Sequence, residues 1–202
     1  MQNFNVVEPS SRARISSVET EPSTSPSITC FPSGKKFLLD SPTFDIKDIS
    51  HALSMTCRYN GHVRHFYSVA EHSVIVSLLM AELKLGDPME GLMHDAHEAY
   101  VGDIVAPWKQ RMPDFQKLEE FVETELRNYY YLPTATTFGC HQADRLAYAI
   151  EDQVLRNGDA SDIVAELRAQ ASRLVDAGWR TLNLYPEEAN KAFLKRYEEL
   201  LP

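Results

Sequence analysis

From Asp45 onward the chain is punctuated by helix starts and helix stops, and this restricts the fold more than any other feature of the sequence. Asp87-Pro88-Met89-Glu90 places a capping aspartate, a proline at the first helical position and a glutamate three residues past the cap. It predicts a helix that runs to about Tyr100 and ends at Gly102. Behind Asp45, the residues Ile46, Ile49 and Leu53 recur at helical spacing, and from Val69 to Leu83 apolar residues occupy a broad face. Further helices are predicted over about Asp114–Tyr131, Gln142–Arg156, Ser161–Ala177 and Pro186–Leu200. There is no convincing run of alternating strands and no internal repeat. The expected fold is therefore a compact all-α bundle.

Ahead of these helices the sequence changes character. From Pro9 to Ser33 Ser, Thr and Pro dominate. Such a stretch buries too little apolar surface to offset its ordering entropy, so residues 1–33 are expected to form a flexible arm and 34–202 the folded domain. Pro-Ser-Gly-Lys within Phe31–Leu39 predicts a small β-hairpin at the domain entrance. Across all 202 residues, 44% are apolar and 24% charged, as in an ordinary soluble chain. No apolar run approaches the roughly 20 residues that span a bilayer, and no secretory leader is recognisable. Three scattered cysteines without a Cys-x-x-Cys pair read as reduced thiols in a cytoplasmic protein. A net charge of −9 argues against a nucleic-acid backbone binder but leaves room for a small anionic substrate met by a few local cations.

All seven histidines lie between His51 and His141. Within His94-Asp95-Ala96-His97-Glu98, a continuous helix would put His94 and Glu98 on one face and rotate Asp95 by about 100° from His94. His94-Asp95 alone also fits an ordinary structural His-Asp pair. Two other residues add weight. His72 is wedged between Val69 and Val74-Ile75-Val76, and Asp144 lies beside Leu146, Ala147 and Ile150. Four polar groups at apolar faces would need four separate partners, whereas one divalent cation satisfies all of them. Two imidazoles and two carboxylates suit Zn, Mn, Co, Ni or Fe rather than calcium.

The order His72 … His94-Asp95 … Asp144 resembles the HD-domain phosphohydrolase superfamily. The neighbouring residues Arg58-Tyr59-Asn60-Gly61-His62, Tyr67-Ser68-Val69-Ala70-Glu71-His72-Ser73 and His94-Asp95-Ala96-His97-Glu98-Ala99-Tyr100-Val101-Gly102-Asp103-Ile104, on to Pro107-Trp108-Lys109, resemble its nucleotidase subgroup. That subgroup contains bacterial 5'-deoxynucleotidases and phage dATP triphosphohydrolases. The likeness covers roughly Phe37 to Gln153. It implies His72, His94, Asp95 and Asp144 as ligands of a divalent metal (Co²⁺, Zn²⁺ or Mn²⁺) and Glu98 as the residue handling the attacking water. It further implies that Asp103 assists or bridges to a second ion, and that Arg58 and Lys109 hold phosphate oxygens. Tyr59 stands where the bacterial deoxynucleotidases carry a tryptophan against the sugar. The expected activity is hydrolysis of a deoxynucleotide, dATP by preference, with monophosphates as the alternative, and with a homo-oligomer as in relatives.

Other readings compete. An alarmone hydrolase would have an acidic pair where this chain has Glu98-Ala99, and the Gly-Tyr-Pro element of cyclic-dinucleotide phosphodiesterases is missing. A catalytically silent nucleotide-binding module needs no proton-transfer carboxylate, which Glu98 and Asp103 would supply. His97 is read as structural, while His62 and His65 stay unassigned.

Overall fold

The computed structural model describes residues 26–158, 160–179 and 183–202. Two short strands, β1 (Ser27–Thr29) and β2 (Lys36–Leu38), pair antiparallel with Ile28 opposite Phe37. They are followed by α1 (Ile46–Met55), α2 (Val69–Glu82), α3 (Pro88–Met93), α4 (Glu98–Val101), α5 (Ala106–Lys109), α6 (Pro113–Tyr129), α7 (Phe138–Leu155), α8 (Ala165–Asp176) and α9 (Pro186–Leu200). The fold is all-α with a small N-terminal hairpin, as expected. The hairpin opens at Ser27, inside the stretch assigned to the arm, because Cys30–Lys35 forms the turn (Cys30 N–H to Lys35 O, 2.8 Å). The remainder of the expected arm, residues 1–25, lies outside the described residues.

The local reasons for the helices are capping contacts. Asp45 accepts from Lys47 N–H at 3.0 Å, Ser68 from Glu71 N–H at 3.1 Å, Asp87 from Met89 N–H at 2.9 Å and Thr137 from Cys140 N–H at 3.2 Å. Each bond satisfies one of the orphan donors of a helix's first turn. Glu90, three residues past its cap, does not fold back on its own helix start. Its carboxylate accepts the Thr137 N–H at 2.8 Å and the Thr137 hydroxyl at 2.7 Å, tying the start of α7 to α3.

α2 is the axis of the molecule. It packs against α1, α3, α7 and α9. Its Val69, Ala70 and Val74 belong to one apolar cluster with Leu53, Leu92, Val122 and Phe193. Its Ile75, Val76, Leu79 and Met80 belong to a second cluster with Leu146 and Ile150 of α7. A helix buried around its whole circumference must either be apolar throughout or find partners for each polar group it carries. His72 sits in the middle of it with no exposure at all.

Two glycines set how closely the neighbours approach. A methyl group on Gly91 would lie 2.7 Å from Met80 Sδ and 3.1 Å from Ser77 Cα, so its absence lets α3 lie directly on α2. A methyl on Gly139 would lie 1.8 Å from the Leu85 carbonyl oxygen, which presses the first turn of α7 against the α2–α3 connection. Because that atom is backbone, Gly139→Ala forces the helix to move. The variant is expected to lose about 3 kcal/mol of unfolding free energy in urea titrations. Stability within about 0.5 kcal/mol of the parent protein would show that α7 can shift freely.

Candidate metal centre

The helix expected to run unbroken from Pro88 to about Tyr100 is interrupted, and the interruption forms the site. Over 94–97 the backbone closes with three-residue bonds, Ala96 N–H to Met93 O and Glu98 N–H to Asp95 O, both at 3.0 Å. The His94 imidazole takes the Gly91 carbonyl at 2.9 Å, an acceptor that a continuous helix would give to a backbone N–H. The angular spacing therefore differs from the 100° of a regular helix, and His94, Asp95 and Glu98 all border one cavity of about 210 Å³.

His72 from α2, His94 from the end of α3 and Asp144 from α7 bring their ligand atoms within 4.8 Å of one another. His72 Nε2 lies 3.1 Å from Asp144 Oδ1, and His94 Nε2 lies 3.1 Å from Asp95 Oδ2. Asp95 Oδ2 is also 3.7 Å from His72 Nε2 and 3.4 Å from Arg58 Nη1, so this carboxylate is shared between the imidazoles and a guanidinium. Neither Nε2 makes a hydrogen bond, although both are buried. Both Nδ1 atoms are engaged, that of His94 by the Gly91 carbonyl and that of His72 by Glu151 Oε1 at 2.6 Å. A carbonyl and an ionised carboxylate only accept, so each Nδ1 carries a proton, and a ring that has lost its other proton offers a bare Nε2 lone pair beside the facing carboxylates. This is the tautomer a metal-bound histidine needs. The buried His, Asp and Glu groups here could hold a metal ion.

Charge follows the same geometry. Burial and Arg58 push the His72 pKa down, but Glu151 and Asp144 outweigh them and raise it to about 9. Burial opposes ionisation of Asp95 and Asp144, yet the two imidazoles hold Asp95 well below the usual carboxylate range and lower Asp144 as well. Without a cation, the imidazolium charge does the neutralising that a divalent ion would otherwise do.

Glu151 carries no signal in the sequence reading. It is fully buried two turns beyond Asp144 on α7 and accepts from His72 Nδ1, from the Tyr67 hydroxyl at 2.8 Å and from the Tyr59 hydroxyl, with Arg58 Nε 3.6 Å away. Burial would raise its pKa, but His72 and Arg58 hold it at about 2. The i, i+7 spacing puts it on the Asp144 face of α7, but spacing alone does not set it apart from other acidic residues.

A pocket of about 730 Å³ opens over the cluster and is lined by Arg58, Tyr59, Asp95, Glu98, Asp103 and Lys109, among others. All nine residues singled out from the sequence thus fall at the cluster or in this pocket. Glu98 is buried with Oε2 lacking any hydrogen-bond partner; burial first, then the charges of Asp95 and Asp103, raise its pKa well above normal. Burial likewise raises that of Asp103. Lys109 is not a free cation: its ammonium is bound to Glu119 Oε1 at 2.6 Å. His97, read as structural, has Nε2 3.5 Å from the same oxygen, and its ligand atom groups with those of Glu98 and Glu119 within 4.8 Å. Tyr59 and Asn60 adopt left-handed φ of 58° and 50°, a conformation that costs of order 1–3 kcal/mol for such residues. The Tyr59–Glu151 bond and Arg58 N–H to Tyr67 O at 2.9 Å hold that loop over the cluster.

Fold and site together define an all-α protein with a buried imidazole–carboxylate centre that could hold a metal ion. Over 171 residues the chain is 36% identical to the uncharacterized protein YfdR of Escherichia coli K12, across 83% of this chain and 92% of that protein, and it belongs to the YfdR family. It is also 28% identical over 186 residues to an uncharacterized protein of Rhodobacter capsulatus, across 84% of this chain and 93% of that one. No model of a protein family matches the chain.

Two outcomes are expected. Glu151→Gln should weaken metal affinity by about 10–100-fold, read by competition with a chelating dye, because the His72 ring loses its charged acceptor while the shape is kept. An unchanged affinity would mean that Glu151 only packs. The pH dependence has a defined sign. In metal-free protein the raised His72 pKa contributes stability that is complete below about 6.5, the unfolded value, and is lost as pH rises through about 9. Metal affinity should move oppositely, strengthening with pH as His72 Nε2 gives up its proton. Equal metal affinity at pH 6 and pH 8 would contradict the assignment of His72 as a ligand.

Proposed function

We propose that this protein is a divalent-metal-dependent phosphohydrolase of 2'-deoxynucleotides of the HD-domain type, cleaving at the 5'-oxygen to leave a nucleoside. One observation carries the reading. Two buried imidazoles, each with Nδ1 held and Nε2 without a well-formed hydrogen bond, face two carboxylates at the floor of a pocket that also presents Arg58 and Glu98, whose Oε2 has no partner. A structural His-Asp pair would satisfy its own nitrogens; this set does not. Cobalt, zinc or manganese fits the mixed N/O donors, and the resemblance supports dATP as the preferred substrate with dADP and dAMP as further ones. A cytoplasmic homo-oligomer is part of the same proposal.

His72, His94, Asp95 and Asp144 would hold the metal, which when bound supplies Lewis acidity toward water and a phosphoryl oxygen. The rest falls to this chain's own side chains. Glu98, with its raised pKa, takes a proton from the attacking water and returns it to the departing 5'-oxygen; the water oxygen bonds to phosphorus as the P–O5' bond breaks. Arg58, anchored between Asp95 and Glu151, is pre-oriented beside the cluster and directs its guanidinium at a phosphate oxygen there. Asp103 lies near Glu98 and keeps its proton affinity high. Lys109 acts through Glu119 unless an arriving phosphate displaces that carboxylate.

The test is product analysis with Mn²⁺ or Co²⁺ across dATP, dADP, dAMP, ATP and dGTP. Release of deoxyadenosine with phosphate or a phosphate chain supports the proposal; binding of nucleotides with no turnover leaves a silent binding module instead. Asp95→Ala is expected to abolish metal binding and turnover together. Glu98→Gln should cut turnover by about 10²–10⁴-fold while the metal stays. Loss of metal in the Glu98 variant would make it a ligand rather than the proton carrier.

A further inference from the structure

The pocket over the cluster does not end at Arg58. His62 and Arg156 line it and also line a second cleft of about 490 Å³, whose other walls are Gly61, Val63, Arg64, Leu155 and Asn157. Among the described residues, no carboxylate lines this second cleft, in a chain whose net charge is −9. The cations are placed rather than scattered. Arg64 N–H donates to the Leu155 carbonyl at 3.0 Å, fixing the 62–64 loop against the end of α7, where Arg156 follows. The Arg156 guanidinium carbon lies 5.2 Å from the centroid of the Tyr59 ring, on the path between the cluster and the cleft. Among the described residues its nearest carboxylate is Asp152, 3.8 Å away and already engaged by Arg168 at 3.4 Å and by the Ala160 N–H. Asp162, which lines the main pocket, accepts the Tyr148 hydroxyl at 3.0 Å. Arg156 is therefore stacked on Tyr59 and held beside the Tyr148 hydroxyl, and its fork of N–H donors leaves others for bidentate phosphate binding.

We propose that His62, Arg64 and Arg156 form a subsite for the distal phosphates of a nucleoside triphosphate, so that a polyphosphate is bound in preference to a monophosphate. The inference rests on the phosphohydrolase reading for the placement of the first phosphate beside Arg58. Phosphates beyond it then run past the Tyr59 ring into the cleft between Arg64 and Arg156. The residues needed are outside the metal cluster, so their removal leaves the reacting centre intact.

The experiment uses the full chain and measures binding apart from catalysis. Inorganic tripolyphosphate and orthophosphate are titrated calorimetrically into metal-free protein, for the parent and for the Arg64→Gln/Arg156→Gln double variant, with thermal melting to confirm the fold. Tripolyphosphate is expected to bind the parent at least tenfold more tightly than orthophosphate. The double variant should lose at least tenfold for tripolyphosphate and less than twofold for orthophosphate. Arg156→Lys, which keeps the charge but not the fork, should fall between them. Equal tripolyphosphate binding by parent and double variant would overturn the proposal. So would a single-stranded oligonucleotide that outcompetes tripolyphosphate, since the cleft would then follow a nucleic-acid backbone. Hydrolysis of dATP and dAMP with Mn²⁺ is assayed in parallel, where the double variant should raise KM for dATP alone. Loss of tripolyphosphate binding in the double variant, with no nucleotide hydrolysed by the parent, would sustain the subsite and remove the hydrolase reading alone.

Discussion

A carboxylate removed from water stays ionised only if the protein replaces its hydration, and Glu151 is the place where this protein does so. Its two oxygens take one imidazole and two tyrosine hydroxyls, with a guanidinium close by. Those partners come from three separate stretches: Arg58 and Tyr59 from the loop after α1, Tyr67 from the approach to α2, and His72 from α2 itself. One buried charge thus fixes the tautomer of a candidate ligand, the position of the arginine beside it and the strained loop that roofs the pocket. Removing a partner would leave a charge uncompensated in a low-dielectric interior, which costs far more than the contact itself contributes.

The helical frame explains how this is possible in a small protein. α2 is enclosed on all sides, so a histidine at its centre is cut off from water without any lid. Gly91 and Gly139 bring α3 and α7 close enough for His94 and Asp144 to reach the same point, and Glu90 locks the start of α7 to α3. The site is assembled from helix–helix contacts rather than from a mobile loop, which keeps donors in place before any ligand arrives.

Electrostatically the molecule works against its own average. A chain of net charge −9 repels phosphate at a distance, yet the wall running from Arg58 past Arg156 to Arg64 is cationic, and the acidic groups near the cluster are either neutralised or raised in pKa. Net charge therefore governs solubility here, while a handful of positioned groups governs what the pocket can accept.

The residue pattern by itself determined the long helices, because capping residues and apolar spacing act within a few positions: Asp45, Asp87 and the Pro186 start all sit where the structure has them. It does not predict α5, and α7 and α8 begin at Phe138 and Ala165 rather than Gln142 and Ser161. It also singled out His72, His94, Asp95 and Asp144, since polar groups at apolar faces are visible in one dimension. It could not reveal Glu151, the turn of Glu90 toward Thr137, the tie between Lys109 and Glu119, or the break at His94. Each of those depends on which distant side chain arrives at hydrogen-bond distance. Only the tertiary structure decided them, because a buried polar group is satisfied by whatever neighbours it in space, and sequence spacing fixes neighbours only along a single helix.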